Sequence, residues 1–375
     1  MKITKPAARV KQRELTIYAI SLKVRELLIP GFFQVEKLDS IEGTGFQRVL
    51  EQARVKKLAS YIIKAWEDND AFLPTSIFLA TDKDISYNES KNEITFDTSV
   101  VCPFNVVDGQ HRVQGLIDAA LQNPEIGEFE IMANIAVNLN EISQMCHFLI
   151  VNTTQKSVNK GVAQQIIARL SNMVSIEDVP TLPKWIQNQV NKGDDNEALI
   201  ITNYLNTEKD SPLYKKITLA NEKADSDNVK QDTFVNSIKK YILNSNNPVS
   251  GMEDRNKRNQ ILKNYWKAIS ELLENKESNK ASVIYRTNGL ELFNYVSTTV
   301  FNILFAEQDF RVNRIKENIS KGFENINDDF ADIQNPDYWV SGGGVTSLNV
   351  SKMRPIATDL SRAINVRSVT DNFDI

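Results

Sequence analysis

The sequence is poor in the residues that build disulfide and metal sites. It has two cysteines, Cys102 and Cys146, and two histidines, His111 and His147, among 375 residues. Two cysteines cannot form a disulfide scaffold, so we expect both to be buried thiols of a protein in a reducing cytoplasm. No close pair of these residues has the spacing of zinc ligands, and we predict no protein-bound metal.

Long apolar runs are also missing. No stretch of about 18 apolar residues occurs, and the charged amino terminus is not followed by an apolar segment. We therefore expect no membrane span and no signal peptide, and we predict a cytoplasmic protein with no membrane partner. Hydrophobic residues make up 41% and charged residues 25% of the chain, a balance typical of globular proteins. The length of 375 residues suggests two domains or one large domain.

Positive charge is in deficit overall but is concentrated locally. The formal net charge is −4, which lacks the basic excess of many nucleic-acid-binding proteins. Residues 1–40 nevertheless contain eight Lys or Arg against four acidic residues, and Arg48, Arg54, Lys56 and Lys57 follow. Such a local basic face can bind a phosphate backbone, so these four residues are candidate DNA contacts. A solvated surface is the competing interpretation.

Hydrophobic periodicity divides the chain into a mixed part and a helical part. Strands and helices alternate up to about residue 172, which indicates an α/β or α+β domain over residues 1–172, and we predict the α+β class. A mostly helical domain is predicted for residues 173–375. The predicted strands are 14–22, 74–82, 92–98, 104–108 and 129–140. The predicted helices are 43–68, one that starts at 109–111 and runs through 121, 141–152, 158–170, 230–243, 256–274 and 289–306.

The most informative stretch is Asp108-Gly109-Gln110-His111-Arg112, between an apolar strand and an amphipathic helix. Asp108 is predicted to be the N-cap of the helix, and Gly109 permits a tight turn. The start of a helix gathers unpaired backbone N–H groups and the positive end of the helix dipole, which together form a general anion site.

The side chains of this stretch suit a phosphate ligand. Arg112 offers a bidentate donor, His111 a donor that titrates near neutral pH, and Gln110 an amide that can orient a water or a phosphate oxygen. The competing interpretation is an ordinary capped helix start with a polar first turn.

The same five residues resemble the name-giving motif of the DGQHR-domain family, which includes the DndB-type proteins that accompany DNA phosphorothioate modification. Two further stretches are similar to that family. One is Gly45-Phe46-Gln47-Arg48 with the basic helix through Lys57, and the other is residues 151–158. A fourth and weaker similarity covers residues 285–296. Together these stretches span most of the chain in the expected order.

The resemblance implies a fold of the ParB/sulfiredoxin-like superfamily, with a pocket for nucleotide phosphates at the DGQHR corner. The implied ligand is ATP, accompanied by Mg²⁺. Asp108 and Gly109 to Arg112 would bind the phosphates, joined by Gln47, Arg48, Asn152, Gln155 and Lys156. Sulfiredoxin has a reactive cysteine at the position of Gln110, so thiol chemistry of that kind is not expected here.

Three functions compete at this point. The first is a DNA-binding regulator of a phosphorothioate-modification or phage-defence locus, with a nucleotide-phosphate pocket. The second is an ATP-hydrolysing and DNA-nicking enzyme of the same system, in which Asp108, His111 and Arg112 are catalytic. The third is a scaffold protein with a relict pocket. The predicted partners are DNA, a nucleotide, other DNA-modification proteins and a second copy of the chain.

Overall fold

The computed structural model describes residues 1–39, 42, 44–154, 160–173, 184–223, 228–275 and 277–365. The chain forms two compact units, Met1–Asn191 and Lys192–Ile375. The domain boundary predicted after residue 172 lies at the end of the helix Lys160–Met173.

The first unit is built on an eight-stranded mixed sheet with the strand order β3-β7-β4-β8-β2-β1-β6-β5. The pairs β3/β7 and β4/β8 are parallel and the other pairs are antiparallel. The strands are β1 Lys2–Gln12, β2 Leu15–Lys23, β3 Phe33–Gln34, β4 Ile77–Ala80, β5 Ser86–Asn88, β6 Glu93–Asp97, β7 Phe104–Asp108 and β8 Glu130–Ala136.

All five predicted strands are present, but the pattern did not predict β1. This strand is eleven residues long and buries only Ile3 and Ala7 among basic and polar neighbours. A strand with one sparsely apolar face gives little alternation of hydrophobicity, so its pairing with β2 and β6 decides its conformation.

Two helices cover the central strands. The helices of this unit are α1 Val24–Leu27, α2 Gln52–Glu67, α3 Thr98–Val101, α4 Gln110–Gln122, α5 Glu141–Thr154, α6 Lys160–Met173 and α7 Lys184–Lys192. A Cβ atom built on Gly115 of α4 would lie 2.9 Å from a methyl group of Leu58 in α2. The absence of a side chain at Gly115 therefore lets α2 and α4 approach closely, and Ala59 and Leu116 join the core between helices and sheet.

The predicted start of α2 was wrong by nine residues. Residues 44–50 are irregular, and the helix begins at Gln52 instead of residue 43. Gly45 has a φ of +66°, and Phe46 is fully buried with its ring 5.6 Å from that of Phe148. Tertiary burial of Phe46 and Gln47 thus overrides the helical tendency of the segment.

The second unit is mostly helical, as predicted, with one two-stranded parallel ribbon of β9 Ile217–Thr218 and β10 Val229–Lys230. Its helices are α8 Asp194–Thr207, α9 Gln231–Ser237, α10 Arg255–Leu273, α11 Thr287–Glu307, α12 Val312–Asn325 and α13 Val350–Asn365. The three helices predicted here are present as α9, which continues in a π-helical turn, α10 and α11. The α+β class with a helical second part is therefore confirmed.

The two cysteines lie in apolar surroundings. Cys146 is buried and Cys102 partly buried, and burial raises the pKa of their thiols to about 12 and about 11. Both thiols are therefore protonated and unreactive at neutral pH. Within the described ranges, no helix combines the length and apolar character needed to cross a membrane.

Candidate phosphate-binding site

Strand β7 runs directly into helix α4 through Gly109. This glycine has φ +97° and ψ 17°, in the left-handed region, and it occupies the N-cap position. The prediction that Asp108 is the N-cap was wrong, since no side chain caps this helix. The first intrahelical bond joins Val113 N–H to Gly109 C=O at 2.9 Å. The N–H groups of Gln110, His111 and Arg112 therefore precede the helical ladder.

Asp108 forms an ion pair with Arg112 instead. The guanidinium of Arg112 donates to the Asp108 carboxylate at 2.5 Å, and both side chains are partly exposed, at 23% and 29%. A Cβ on Gly109 would meet the Arg112 guanidinium at 3.1 Å and Ile77 at 3.0 Å. Because Gly109 has no side chain, the Arg112 guanidinium can occupy this space and pair with the Asp108 carboxylate.

A second helix begins at the same place. The backbone N–H of Glu51, the N-cap residue of α2, donates to Nε2 of His111 at 3.0 Å. Leu58 and Gly115 make contact farther along the same two helices, so α2 and α4 run side by side in the same direction. The positive ends of two helix dipoles therefore meet beside His111.

His111 is held in the neutral form. Burial lowers its pKa, and the nearby guanidinium groups of Arg48 and Arg54 lower it further. Because Nε2 accepts the Glu51 N–H, the ring carries its proton on Nδ1. The expectation of a freely titrating donor at neutral pH is therefore replaced by a neutral imidazole engaged through one nitrogen.

Two buried glutamines fasten the segment 44–50 to the strand and the helix. Gln47 donates to the carbonyls of Val106 and Val107 at 2.6 and 2.9 Å. Gln110 donates to the carbonyl of Arg48 at 3.1 Å. Their exposed fractions are 2% and 5%, so both amides serve mainly to position the backbone around the corner. The sequence predicts both as phosphate contacts, and in the structure both also line the cavity described next.

The structure brings most of the predicted phosphate-binding residues around one cavity of about 220 Å³, here called the amino-end cavity. Three guanidinium groups and one carboxylate give it a positive formal charge at the joint amino ends of α2 and α4. It is lined by Gln47, Arg48, Arg54, Asp108, Gly109, Gln110, His111, Arg112 and Asn152.

The three arginines differ in how they are held. Arg112 is paired with Asp108, and the largely exposed Arg54 pairs with Glu51 at 2.7 Å. Arg48 is partly buried, and its guanidinium has no ion pair or hydrogen bond with any residue that the structure describes. Arg48 is therefore the arginine most available to an anionic ligand.

Of the other residues predicted to contact phosphate or DNA, only Asn152 lines the amino-end cavity among those that the structure describes. The amide of Asn152 donates to the carbonyl of Phe148 at 2.8 Å while its side chain lines the cavity. Gln155 and Lys156 lie outside the described residues. Lys56 and Lys57 are exposed on α2 and are not among the described residues that line the cavity.

Sequence reasoning missed two residues that shape the site. Arg169 of α6 donates to the carbonyl of Gly45 at 3.2 Å and pairs with Glu141, which fixes the segment 44–50 from outside. Glu51 contributes the N–H that His111 accepts. A backbone donor gives no sequence signal, and the Arg169 contact spans 124 positions.

The residues of the corner do not fit a resident magnesium ion. Across the described ranges, no group of three or more His, Cys, Asp or Glu side chains is arranged to hold a metal. Asp108 is engaged by Arg112 and Glu141 by Arg169. Mg²⁺ prefers several oxygen ligands, which these paired carboxylates do not present together.

The fold and this corner define a mixed α+β protein with three guanidinium groups around the turn between strand β7 and helix α4. Residues 5–178 match the model of the DndB family, described as DNA-sulfur modification-associated. Over these residues, just under half of the chain, the protein is similar to that family. No curated protein matches the chain, and no solved structure does.

Proposed function

We propose that this protein is a DNA-binding regulator in a DNA phosphorothioate-modification system, and that its amino-end cavity binds the phosphates of a nucleotide. The family associates the chain with DNA sulfur modification. The observation that carries the phosphate assignment is the joint amino end of α2 and α4, lined by Arg48, Arg54 and Arg112. Oriented N–H groups and guanidinium groups are the donors that phosphate oxygens prefer.

The size of the cavity limits which part of a ligand it encloses. At about 220 Å³ it is smaller than the roughly 300–1,000 Å³ of pockets that enclose whole small molecules. Phosphate groups would therefore occupy the cavity, and the sugar and base of a nucleotide would extend beyond it. The exposed cations of α2 next to the cavity, Arg54 and Lys57, are the proposed contacts to DNA.

The geometry supports binding better than hydrolysis. A general base needs a free lone pair near the attacking water. The Nε2 lone pair of His111 is taken by Glu51 N–H, Asp108 is paired with Arg112, and Gln110 is bonded to Arg48. ATP hydrolysis with catalytic Asp108, His111 and Arg112 remains a prediction with less support from the arrangement of these groups.

Arg48→Gln is the sharpest test, because it removes a guanidinium without leaving a carboxylate unpaired. We expect ATP affinity, measured by calorimetry, to fall by about tenfold, the low end of a charge-assisted hydrogen bond of about 1.5–3 kcal/mol. Lys56→Gln, an exposed cation on α2 outside the described cavity lining, is the matched control. The proposed pocket is wrong if the folded wild-type protein binds no ATP, or if both variants bind it as the wild type does.

The regulator role is tested with duplex DNA from the promoter of the modification genes. A gel-shift titration is expected to show specific binding that ATP changes. Equal affinity for promoter and unrelated duplexes would contradict a role as a sequence-specific regulator.

A further inference from the structure

A row of cations and aromatic rings leads away from the amino-end cavity along α2. Lys57 lies one turn after Arg54, and Tyr61 and Lys64 continue the same side of the helix at steps of four and three residues. All four side chains belong to exposed residues. We call these four residues together with Phe72 the basic-aromatic stripe. From Arg54 to Lys64 it is about 15 Å long at about 1.5 Å per residue.

The aromatic end of the stripe is built by a contact between two chain segments. The hydroxyl of Tyr61 donates to the carbonyl of Phe72 at 2.9 Å. The exposed fractions of Tyr61 and Phe72 are 45% and 67%, which is high for large apolar side chains. The bond brings the backbone of Phe72 to the side chain of Tyr61, so two exposed aromatic residues belong to adjoining segments of the surface.

Only the first cation of the stripe has an acidic partner among the described residues, since Arg54 pairs with Glu51 at 2.7 Å. Residues 52–64 contain no Asp or Glu. Lys57 and Lys64 form no ion pair with any residue that the structure describes. The unpaired positive charge of the stripe therefore lies at Lys57 and Lys64, and the next acidic residues along the chain are Glu67 and Asp68.

We propose that the stripe binds single-stranded DNA, with the backbone phosphates on Arg54, Lys57 and Lys64 and unstacked bases on the rings of Tyr61 and Phe72. This inference rests on the proposed DNA-binding role. The choice of a single strand follows from the aromatic residues. In a duplex the base faces are covered by their neighbours, whereas proteins that bind single strands combine a positive track with exposed rings.

The test compares the affinities for a fluorescent oligothymidylate and for a duplex of equal length, measured by anisotropy. Tyr61→Leu combined with Phe72→Leu keeps the apolar bulk and removes both rings. We expect this variant to lose about tenfold or more in single-strand affinity, since stacking on a ring is worth about 1–3 kcal/mol per base. Duplex affinity should stay unchanged. Phe72→Tyr, which keeps the ring, should bind as the wild type does.

The salt dependence tests the phosphate contacts separately. Each lysine that neutralises a phosphate contributes about 0.7 to the slope of log affinity against log salt for single strands. Lys57→Gln and Lys64→Gln should each lower the slope by about this amount. Lys91→Gln should leave it unchanged, because the exposed Lys91 lies in the turn between β5 and β6 and not on α2.

Two results would overturn the inference. In the first, the Tyr61→Leu/Phe72→Leu variant binds single-stranded DNA with the affinity of the wild type. In the second, this variant loses the same factor in affinity for single-stranded and for duplex DNA. Each is distinguishable from failure of the nucleotide pocket, because Arg48→Gln reports on ATP and the Leu variant does not touch the described cavity lining. Circular dichroism and the unfolding midpoint verify that each variant is folded.

Discussion

The imidazole of His111 accepts a hydrogen bond from the backbone N–H of Glu51 at 3.0 Å, and this bond joins the amino ends of α2 and α4. His111 belongs to the first turn of α4, whereas Glu51 is the N-cap residue of α2. The bond holds the first turn of α4 beside the start of α2, next to the amino-end cavity. The histidine of the motif therefore has a structural role that requires it to be neutral.

Lowering the pH should weaken the hydrogen bond between His111 and the Glu51 N–H and thereby destabilise the protein. The folded protein lowers the pKa of His111, so its contribution to stability is present above the unfolded value of about 6.5 and is lost as the pH falls below it. Urea unfolding at about pH 7.5 and about pH 5.5 measures the loss. His111→Gln, which keeps an acceptor but does not titrate, should lose less stability over this interval. An equal loss in both proteins would assign the effect to other groups, such as His147, whose pKa burial also lowers.

Asp108→Asn should raise the affinity for ATP. The substitution removes the negative charge from the cavity and keeps an oxygen that accepts the bond from Arg112. The gain should be about 1 kcal/mol, roughly fivefold, as for one unit charge at a partly solvated site. Calorimetry with Asp118→Asn as control measures it. Weaker binding would show that the carboxylate itself takes part, as in a phosphate site bridged by Mg²⁺.

Gly109→Ala should reduce both stability and ATP affinity. The left-handed φ of +97° costs a side-chain-bearing residue about 1–2 kcal/mol, and the new methyl group would displace the Arg112 guanidinium. Gly193→Ala is the matched control, since Gly193 is also an N-cap with positive φ but has nothing within 4 Å of its added Cβ. The control should lower stability similarly and leave ATP affinity intact. Unchanged ATP binding by Gly109→Ala would contradict the proposed role of Arg112.

Gln47→Met should destabilise the first unit by about 1–3 kcal/mol. The change keeps the length of the side chain and removes the amide that donates to the carbonyls of Val106 and Val107. Both buried carbonyl oxygens then lose this hydrogen bond, which costs stability. The free energy of urea unfolding measures the effect, with the exposed Gln52→Met as control. A loss of ATP affinity without any loss of stability would instead make Gln47 a direct ligand contact.

The pattern of the sequence predicted the strand-turn-helix corner because β7 and α4 are locally encoded. The residues of strand β7 are mostly apolar, and Gly109 marks the turn that follows. Val113 and Leu116 are three residues apart, which is the spacing of apolar residues on one face of a helix. The family resemblance added Gln47 and Arg48, and the structure places both at the cavity.

The arrangement of side chains at the corner was not predictable in the same way. The acceptor role of His111 depends on Glu51, sixty residues earlier in the chain, and the Asp108–Arg112 pair competes with the capping that local propensity favours. The irregular conformation of residues 44–50 likewise depends on the burial of Phe46 against Phe148. Long-range contacts of this kind leave no periodic signal in one sequence.

The most direct measurement follows the backbone amide resonances of Gln110, His111 and Arg112 by NMR while inorganic tripolyphosphate is added. If the amino-end cavity binds phosphate, these three amides should shift in a saturable manner, and Arg48→Gln should need about tenfold more ligand. The amide of Leu121, at the other end of α4, should not shift. If the three amides stay unchanged while the protein binds tripolyphosphate, the phosphate site lies elsewhere and the account of this corner is wrong.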